Sequence, residues 1–300
     1  MYINMLSDYL IEKFGEKFYR ISLNGGMSCP NRDGTCGTRG CLFCSESGAG
    51  EFTPNLLLTM DEQITYAKKL VSDKTRSDKY IAYFQSFSNT YAPIDYLRKL
   101  YCSVVKRDDI AVLSIATRPD CINTEVIELL NEINKIKPVW IELGLQTSNE
   151  NTARFIRRGY SNGVYEKAVT ELRAVGCKII THLILSLPYE NREDMINSAR
   201  YAGMHSDGIK FHMLYITNDS DIFKVYNDEK INLLSLDEYV DVLCDCLRVI
   251  PESVVIHRLT GDGDKTKLVA PLWTCDKKRV LREINCAFKD RDINQGEYLI

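Results

Sequence analysis

Short runs of apolar, mostly β-branched or aromatic residues recur along the chain and predict β-strands. Six of these runs occupy residues 18–23, 80–87, 110–116, 139–145, 179–185 and 209–214. From the second run onward they begin roughly 30 to 40 residues apart, the length of one strand and one helix in a parallel sheet. The pattern therefore predicts repeated βα units.

The segments between these strands have the period and the boundary residues of helices. Val164, Ala168 and Leu172 recur on one helical face, and Gly176 follows where that helix can end. Pro93 is placed to occupy a first helical turn. Six such units without a low-complexity linker predict an α/β fold, a partial (βα)6 barrel of the TIM type. A doubly wound open sheet is the alternative that the pattern leaves open.

The segment 231–300 follows a different pattern. Ser235 and Glu238 have the spacing of a capping box at the start of an amphipathic helix, and residues 254–256 predict one further strand. A charged, glycine-containing stretch and a helical pattern over residues 276–288 close the chain. We therefore expect a barrel domain over residues 1–230, with a cysteine-rich loop at 25–50, and a C-terminal α/β extension over residues 231–300.

Composition and charge narrow the class of protein. The 300 residues are 45% hydrophobic and carry 38 basic and 41 acidic side chains, a net charge of −3. The whole chain thus lacks the positive excess typical of nucleic-acid-binding proteins, although this balance is compatible with a local basic patch. The sequence shows no signal-peptide pattern and no apolar run long enough to cross a membrane, so we expect a cytoplasmic protein.

Eleven cysteines without a secretory pattern indicate reduced thiols, some of them metal ligands. Four lie within sixteen residues after the first predicted strand: Cys29, Cys36, Cys41 and Cys44. Intervening glycines let the backbone approach an inorganic cluster. A four-cysteine zinc site and a redox pair of Cys41 and Cys44 are the alternatives. Only one C-x2-C pair is present, where zinc ribbons have two, and a redox pair leaves two cysteines unexplained. The other seven are expected to be packing residues.

The position of this loop favours a catalytic role. A loop that follows the first strand lies at the carboxyl end of a parallel barrel, where active sites of this architecture are assembled. An iron–sulfur cube held by three thiolates keeps one iron open for a ligand. Spacing alone allows either Cys29 or Cys36 to be the third ligand beside Cys41 and Cys44.

Several segments share the pattern of a known family. They are CPNRDGT (29–35), GCLFC (40–44), YFQSFSNTYAP (83–93), ATRPD (116–120), ELGLQT (142–147), THLILSLP (181–188), HR (257–258) and APLW (270–273). Together they resemble the radical S-adenosylmethionine (SAM) proteins of the YhcC/YtqA (MnmL) type, which are related to the elongator catalytic subunit and to oxygen-independent coproporphyrinogen oxidases. The likeness extends over nearly the whole chain.

The resemblance implies a [4Fe-4S] cluster held by Cys29, Cys41 and Cys44 in a C-x11-C-x2-C spacing, with no need for Cys36. It also implies that the open iron binds the amino and carboxylate groups of SAM. One electron from the cluster then cleaves SAM into methionine and a 5′-deoxyadenosyl radical. This chemistry needs a reducing partner such as flavodoxin or ferredoxin.

Residues at the strand ends are the expected SAM contacts. Glu142 and Gln146 share one face of the fourth strand, and a carboxylate buried there needs a partner. The resemblance to coproporphyrinogen oxidases implies that ribose hydroxyls are the partners of Glu142. Arg158 aligns with an arginine that clamps the SAM carboxylate in relatives. His182 stands where coproporphyrinogen oxidases carry an aspartate, so a satisfied core histidine is an equal alternative. The full set is Gln85, Ser86, Asn89, Thr117, Arg118, Glu142, Gln146, Arg158 and His182.

By the same resemblance the protein acts on the wobble uridine of tRNA and converts its carboxymethylaminomethyl side chain to aminomethyl. Candidate substrate contacts lie near the last barrel strand, in the glycine-containing stretch 260–267 and in the final helix. Cations there can pair with phosphates or with the carboxylate of the uridine side chain. The candidates are Lys210, His212, Tyr215, His257, Arg258, Lys265, Lys277, Lys278 and Arg279.

Two other functions remain as alternatives. The first is a radical SAM enzyme that acts on another base or on a small metabolite. The second is a zinc-stabilised RNA-binding module without catalysis.

Overall fold

A computed structural model describes residues 2–48, 50, 53–229, 231–261 and 263–299. Its strands are β1 (Tyr19–Leu23), β2 (Tyr80–Phe84), β3 (Ile110–Thr117), β4 (Val139–Gln146), β5 (Lys178–Leu185), β6 (Gly208–Met213), β7 (Ile216–Thr217), β8 (Val255–Arg258) and β9 (Leu268–Ala270). Among the described residues, seven strands form one parallel sheet in the order β1-β2-β3-β4-β5-β6-β8, and β7 pairs with β9 in antiparallel fashion. The parallel sheet curls into a half-barrel.

Helices connect the successive strands. They are α1 (Leu6–Phe14), α2 (Met60–Lys69), α3 (Ile94–Val105), α4 (Thr124–Asn134), α5 (Glu150–Phe155), α6 (Asn162–Ala174), α7 (Arg192–His205), α8 (Ile222–Glu229), α9 (Leu236–Arg248) and α10 (Lys277–Asp290). Capping boxes at Thr59, Asn191 and Ser235 begin α2, α7 and α9, as the spacing of Ser235 and Glu238 predicts for α9. No helix in the described part of the chain has the length and apolar character needed to cross a bilayer.

The strand order confirms the TIM-type half-barrel and excludes the doubly wound sheet, because the order of a doubly wound sheet reverses at a switch point. Six strands were expected in the barrel, and the parallel sheet has seven among the described residues. β8 pairs in parallel with β6 and is reached through α9, so the segment 231–300 completes the sheet. The insertion of β7 and α8 and the short length of β8 hide this seventh unit from the sequence pattern.

Side chains along each strand point alternately to the two faces of the sheet. The outer face is apolar, and the inner face carries an apolar layer followed by a polar one. Outward residues pack under the helices in the main core. On the inner face, Ile81, Val112, Trp140 and Ile180 form an apolar layer near the amino ends of the strands, and Leu10 of α1 packs against it. The next inward residues of the same strands are polar, and they form the floor of the cavity described below.

Candidate active site

A cavity of about 250 Å³ opens at the carboxyl ends of the strands. The cysteine loop forms one wall, and residues of β2 to β6 and β8 form the opposite wall. Cys29, Cys41 and Cys44 line this cavity, whereas Cys36 is exposed and lines a separate open groove. The structure therefore brings together the three cysteines that the family resemblance names and leaves Cys36 apart.

The cysteine loop surrounds its thiols with hydrogen-bond donors and cations. Asn31 Nδ2 donates to the Cys41 sulfur at 3.5 Å and to the Arg157 carbonyl at 2.7 Å. A hydrogen bond from Cys44 lowers the pKa of Cys41 to about 7; burial opposes this shift and the charge of Arg118 adds to it. The thiolate is the form that binds metals, so the loop favours the ligand state of Cys41.

The donor set fits a [4Fe-4S] cluster. Each thiolate of a cube binds a different iron, so three sulfur atoms spaced around one cavity match it and leave the fourth iron open. A single zinc ion instead needs four donors at about 2.0–2.3 Å. Within the described ranges, no three His, Cys, Asp or Glu side chains are close enough to hold one metal ion, and Cys36 faces away.

A buried ionic network lies on the floor of the cavity, centred on the Glu142 carboxylate of β4. Ser114 Oγ donates to Oε1 at 2.7 Å, and His182 Nε2 lies 2.7 Å from Oε2. Lys210 Nζ contacts Oε2, and Arg20 lies 3.7 Å from Oε1. Burial alone would raise the pKa of Glu142, but the charges of Lys210 and Arg20 outweigh it and hold that pKa well below its usual value. The carboxylate is ionised and fully partnered.

This network gives Glu142 protein partners, and the expected ribose contact stays a prediction. A buried carboxylate needs partners, and protein groups from β1, β3, β5 and β6 already supply them. Arg20 and Tyr83 were not among the site residues predicted from the sequence. Both side chains point into the barrel from their strands, and Tyr83 lies two residues before Gln85. The signal that could have found them is polar residues at inward positions of neighbouring strands.

Six of the nine expected SAM contacts line the cavity: Gln85, Thr117, Arg118, Glu142, Gln146 and His182. Ser86 and Asn89 do not line it. The Asn89 amide is buried and donates to the carbonyls of Ser86 and Ala116, and the Ser86 hydroxyl lies 3.2 Å from that of Thr53. These hydrogen bonds hold the loop after β2 in place, while Asn89 Oδ1 is buried without a hydrogen-bond partner among the described residues.

The structure places Arg158 among backbone carbonyls at the end of β4. Its side chain is fully buried and does not line the cavity. Nη1 donates to the carbonyls of Leu145 and Thr147 at 2.9 and 2.8 Å, and Nε donates to the Tyr160 carbonyl at 2.9 Å. The guanidinium thus connects the end of β4 to the turn after α5, and its contact with the SAM carboxylate stays a prediction.

Arg158→Ala is expected to destabilise the fold by about 3 kcal/mol, because it removes a fully buried side chain and the three hydrogen bonds that this side chain donates to the carbonyls of Leu145, Thr147 and Tyr160. Anaerobic denaturant unfolding measures this loss. Arg154→Ala, which removes an exposed arginine from the same region, is the matched control and is expected to change little. A stable Arg158→Ala protein with weakened SAM binding would restore the clamp role.

The substrate candidates divide between the two ends of the barrel. Lys210, His212, Tyr215 and Arg258 line the cavity. His257 does not: its Nδ1 lies 2.7 Å from Arg20 Nη2, and its ring packs 5.2 Å from Trp140, next to a small cavity at the amino end. Successive strand residues point in different directions, so His257 and Arg258 cannot both face the mouth.

The stretch 260–267 packs beside the mouth. A Cβ at Gly261 would lie 3.4 Å from His212 Nδ1, and one at Gly263 would lie 3.0 Å from the Tyr215 ring. The distance at Gly263 is the tighter one, so a side chain there would require the Tyr215 ring to shift. Lys265 is exposed, and Asp262, which belongs to this predicted segment, lies outside the described residues.

Lys277, Lys278 and Arg279 are exposed in the first turn of α10. Trp273, just before this helix, donates to the Leu234 carbonyl at 3.0 Å, and the Leu234 amide donates to Ser186 Oγ at 3.2 Å. Ser186 follows β5 at its carboxyl end. The basic turn therefore lies at the mouth end of the barrel.

Two residues that line the cavity have strained backbones. Phe87 and Gln146 adopt positive φ angles of 59° and 62°, which are uncommon for residues other than glycine. Such strain concentrates at functional sites. Tyr160, also missed at the sequence level, lines the same cavity, and its hydroxyl donates to the Gly144 carbonyl at 2.5 Å.

The fold and the cavity define a barrel enzyme with a cysteine-bound cofactor at its mouth. The model of the Radical SAM superfamily matches residues 34–202, and that of the Radical_SAM C-terminal domain matches residues 206–290. This chain belongs to the radical SAM superfamily, whose members use a [4Fe-4S] cluster and SAM. The non-catalytic zinc module is therefore not retained.

Curated relatives match over most of their length. The protein YtqA of Bacillus subtilis (strain 168) is 40% identical over 294 residues, which cover 98% of this chain and 91% of the relative. The protein YhcC of Escherichia coli (strain K12) is 35% identical over 279 residues, which cover 92% and 88%.

Solved structures share the fold. The archaeal Methanocaldococcus infernus Elp3 with an N-terminal deletion superposes with a TM-score of 0.66 at 15% identity. The superposition covers 78% of this chain and 59% of the Elp3 chain. Methylornithine synthase (PylB) superposes with a TM-score of 0.56 at 15% identity. The superposition covers 80% of this chain and 64% of the PylB chain.

Proposed function

We propose that this radical SAM enzyme modifies the wobble uridine of tRNA and converts its carboxymethylaminomethyl side chain to aminomethyl. The observation that carries the proposal is the layout of the mouth. Cysteines form one wall of an open cavity, Lys210 and Arg258 line the opposite side, and a basic turn lies at the same end of the barrel. A nucleoside can enter between the two walls while its RNA remains outside.

The chain's own residues take distinct parts in this function. Cys29, Cys41 and Cys44 would hold the cluster, and Asn31 orients Cys41 by its hydrogen bond. When bound, the cluster supplies the electron that cleaves SAM. Four residues that line the cavity wall would hold SAM: Gln85, Thr117, Arg118 and Gln146. The apolar layer under the floor and α1 close the amino end of the barrel to water.

The partners follow from this chemistry. The electron comes from a reducing protein such as flavodoxin or ferredoxin, and the enzyme works in the cytoplasm, where tRNA is found. Nucleoside analysis of tRNA from a strain that lacks the protein tests the substrate. Carboxymethylaminomethyluridine is expected to accumulate and to disappear again when the wild-type gene, but not the Cys41→Ala gene, is restored. Unchanged nucleosides in that strain would reject this substrate.

Binding of tRNA is expected to weaken with rising salt and to weaken further when Lys277, Lys278 and Arg279 become alanine. Each lost phosphate contact lowers the slope of log affinity against log salt by about 0.9 or less, so three contacts account for up to about 3. Filter binding at several salt concentrations measures this slope.

A matched triple variant replaces exposed lysines near the opposite end of the barrel: Lys13, Lys17 and Lys135. This control removes the same number of positive charges as the α10 variant but leaves the basic turn of α10 intact. An equal loss of tRNA affinity in both triple variants would show that only overall charge matters, and full affinity in the α10 variant would remove the RNA contact from this helix.

A further inference from the structure

The strand β4 ends in a bulge. Gly144 of β4 pairs with His182 of β5. The next pair is Gln146 with Leu183, so β4 has one extra residue at this point. A bulge changes the direction of a side chain, and bulges are common next to active sites. Gln146 lines the cavity and is one of the four residues expected to hold SAM. The bulge therefore lies where its effect on the site is direct.

Gln146 is the central residue of a strained turn. The Thr147 amide donates to the Leu145 carbonyl at 2.8 Å and closes a three-residue turn, in which the φ angle of Gln146 is 62°. A γ-turn with a positive φ at its centre is rare, and such strain persists only where the surrounding structure holds it. The Gln146 side chain lies over Gly144, since a Cβ there would be 2.5 Å from Gln146 Nε2. The position of the Gln146 amide group thus depends on what holds the turn.

Two side chains hold this turn. Arg158 donates to the carbonyls of Leu145 and Thr147, the residues on either side of Gln146. Glu190, in the loop between β5 and α7, accepts a hydrogen bond from the Thr147 hydroxyl. Arg158 therefore fixes the backbone around Gln146, and Glu190 fixes the side chain of the residue that follows it.

The segment after Gln146 packs against the first two turns of α7. Ser198 Oγ accepts a hydrogen bond from the Ser148 amide at 2.9 Å and lies 3.2 Å from Thr147 Oγ1. Asp194, in the first turn of the same helix, accepts from Asn149 Nδ2 at 3.1 Å. The contact between Glu190 and Thr147 thus belongs to an interface between the end of β4 and the start of α7.

Stability alone does not explain a glutamate at position 190. Its Oε2 is buried without a hydrogen-bond partner among the described residues, and such an atom costs stability. Burial raises the pKa of Glu190 to about 7; the Thr147 hydroxyl opposes this shift and the charge of Asp194 adds to it. The neutral and the ionised carboxyl are therefore both present near neutral pH, and each has an oxygen that can accept from Thr147.

We propose that Glu190 is a positioning residue for SAM binding, which through its hydrogen bond with Thr147 holds the strained turn that presents Gln146 to the cavity. This inference rests on the proposed function in one respect, the contact between Gln146 and SAM. Glu190 does not line the cavity, so its effect on SAM passes through Gln146. Without the bond to Thr147 the turn relaxes, and the Gln146 amide group leaves its place in the wall.

Anaerobic titration of SAM into the reconstituted protein tests this role. Gln146→Ala is expected to lower SAM affinity about tenfold, the upper range for the loss of one hydrogen bond. Glu190→Ala is expected to cause a similar loss, and so is Thr147→Val, which removes the hydroxyl and keeps the shape of the side chain. Glu190→Gln keeps an acceptor for Thr147 and is expected to bind SAM within about twofold of the wild type. Glu193→Ala removes an exposed glutamate from the start of α7 and is the matched control.

A double variant separates positioning from a general structural effect. If Glu190 acts through Gln146, Glu190→Ala combined with Gln146→Ala binds SAM within about twofold of Gln146→Ala alone. A further large loss in the double variant would overturn the proposal, because Glu190 would then act on SAM by another route. Wild-type SAM affinity in both Glu190→Ala and Thr147→Val would also overturn it. Should Glu190→Ala not fold, Thr147→Val combined with Gln146→Ala tests the same contact with the same expected result.

The turn can also be observed in the protein without its cluster. The NMR coupling between the amide and α protons of Gln146 reports its φ angle. It is expected to change in Glu190→Ala and Thr147→Val and to stay as in the wild type in Glu190→Gln and Glu193→Ala. An unchanged coupling in both of the first two variants would show that Glu190 does not hold the turn. Unchanged SAM affinity in Gln146→Ala would instead reject the proposed SAM contact, and the coupling would still decide whether Glu190 holds the turn.

Discussion

Replacing Cys29, Cys41 or Cys44 by alanine is expected to abolish cluster assembly and to lower the rate of reductive SAM cleavage by at least about a thousandfold, or about 4 kcal/mol in activation free energy. The reason is that three thiolates hold the cube and no described side chain is placed to replace one of them. Anaerobic reconstitution followed by iron and sulfide analysis measures assembly, and release of 5′-deoxyadenosine measures cleavage.

Cys36→Ala is the matched control in the same loop. Its thiol is exposed and lines a groove outside the cavity, so this variant is expected to assemble a full cluster and to cleave SAM at the wild-type rate. Cluster loss in Cys36→Ala together with a full cluster in Cys29→Ala would reverse the assignment of the third ligand.

Replacing Glu142 by leucine is expected to lower the free energy of unfolding by about 3–5 kcal/mol, the usual cost of leaving a buried charge without its partner. Lys210 and Arg20 both face this carboxylate inside the barrel, and neither has another described carboxylate within ion-pair distance. Denaturant unfolding of the protein without its cluster measures the loss. Glu132→Leu, which removes an exposed partner of Arg98, is the control and is expected to change little.

A double variant separates the charge effect from loss of packing. Glu142→Leu combined with Lys210→Met removes a negative and a positive charge together, so it is expected to recover part of the stability that Glu142→Leu loses. If the losses in unfolding free energy of the two single variants simply added up in the double variant, Glu142 and Lys210 would not be energetically coupled. Their ion pair would then not contribute to stability.

Much of the fold could be predicted from local pattern. The apolar runs locate β1 to β6 within a few residues, because a strand buried on a parallel sheet must be apolar and must recur after each helix. The seventh strand could not be assigned to the sheet, since β8 is four residues long and its pairing with β6 spans an insertion.

The parts of the site that are contiguous in the sequence could be predicted. Contacts between residues that are far apart in the sequence could not. The cysteine loop is a contiguous motif, and its three cysteines line one cavity. The sequence predicts that a buried Glu142 needs a partner. It does not identify Arg20 and Lys210 as partners, because both are far from Glu142 in the sequence and only the curl of the sheet brings them together. The three carbonyls that Arg158 binds were likewise not predictable, since a motif specifies a residue type and not the backbone groups that its side chain contacts in the fold.

One measurement decides the function most directly. The reconstituted protein is incubated without oxygen with a reductant, SAM and tRNA that carries carboxymethylaminomethyluridine, and the digested nucleosides are analysed by mass spectrometry. We expect aminomethyluridine to appear together with 5′-deoxyadenosine, and neither product to form with the Cys41→Ala protein. Release of 5′-deoxyadenosine while the wobble uridine stays unchanged would contradict the account, because SAM would then be cleaved without action on this substrate.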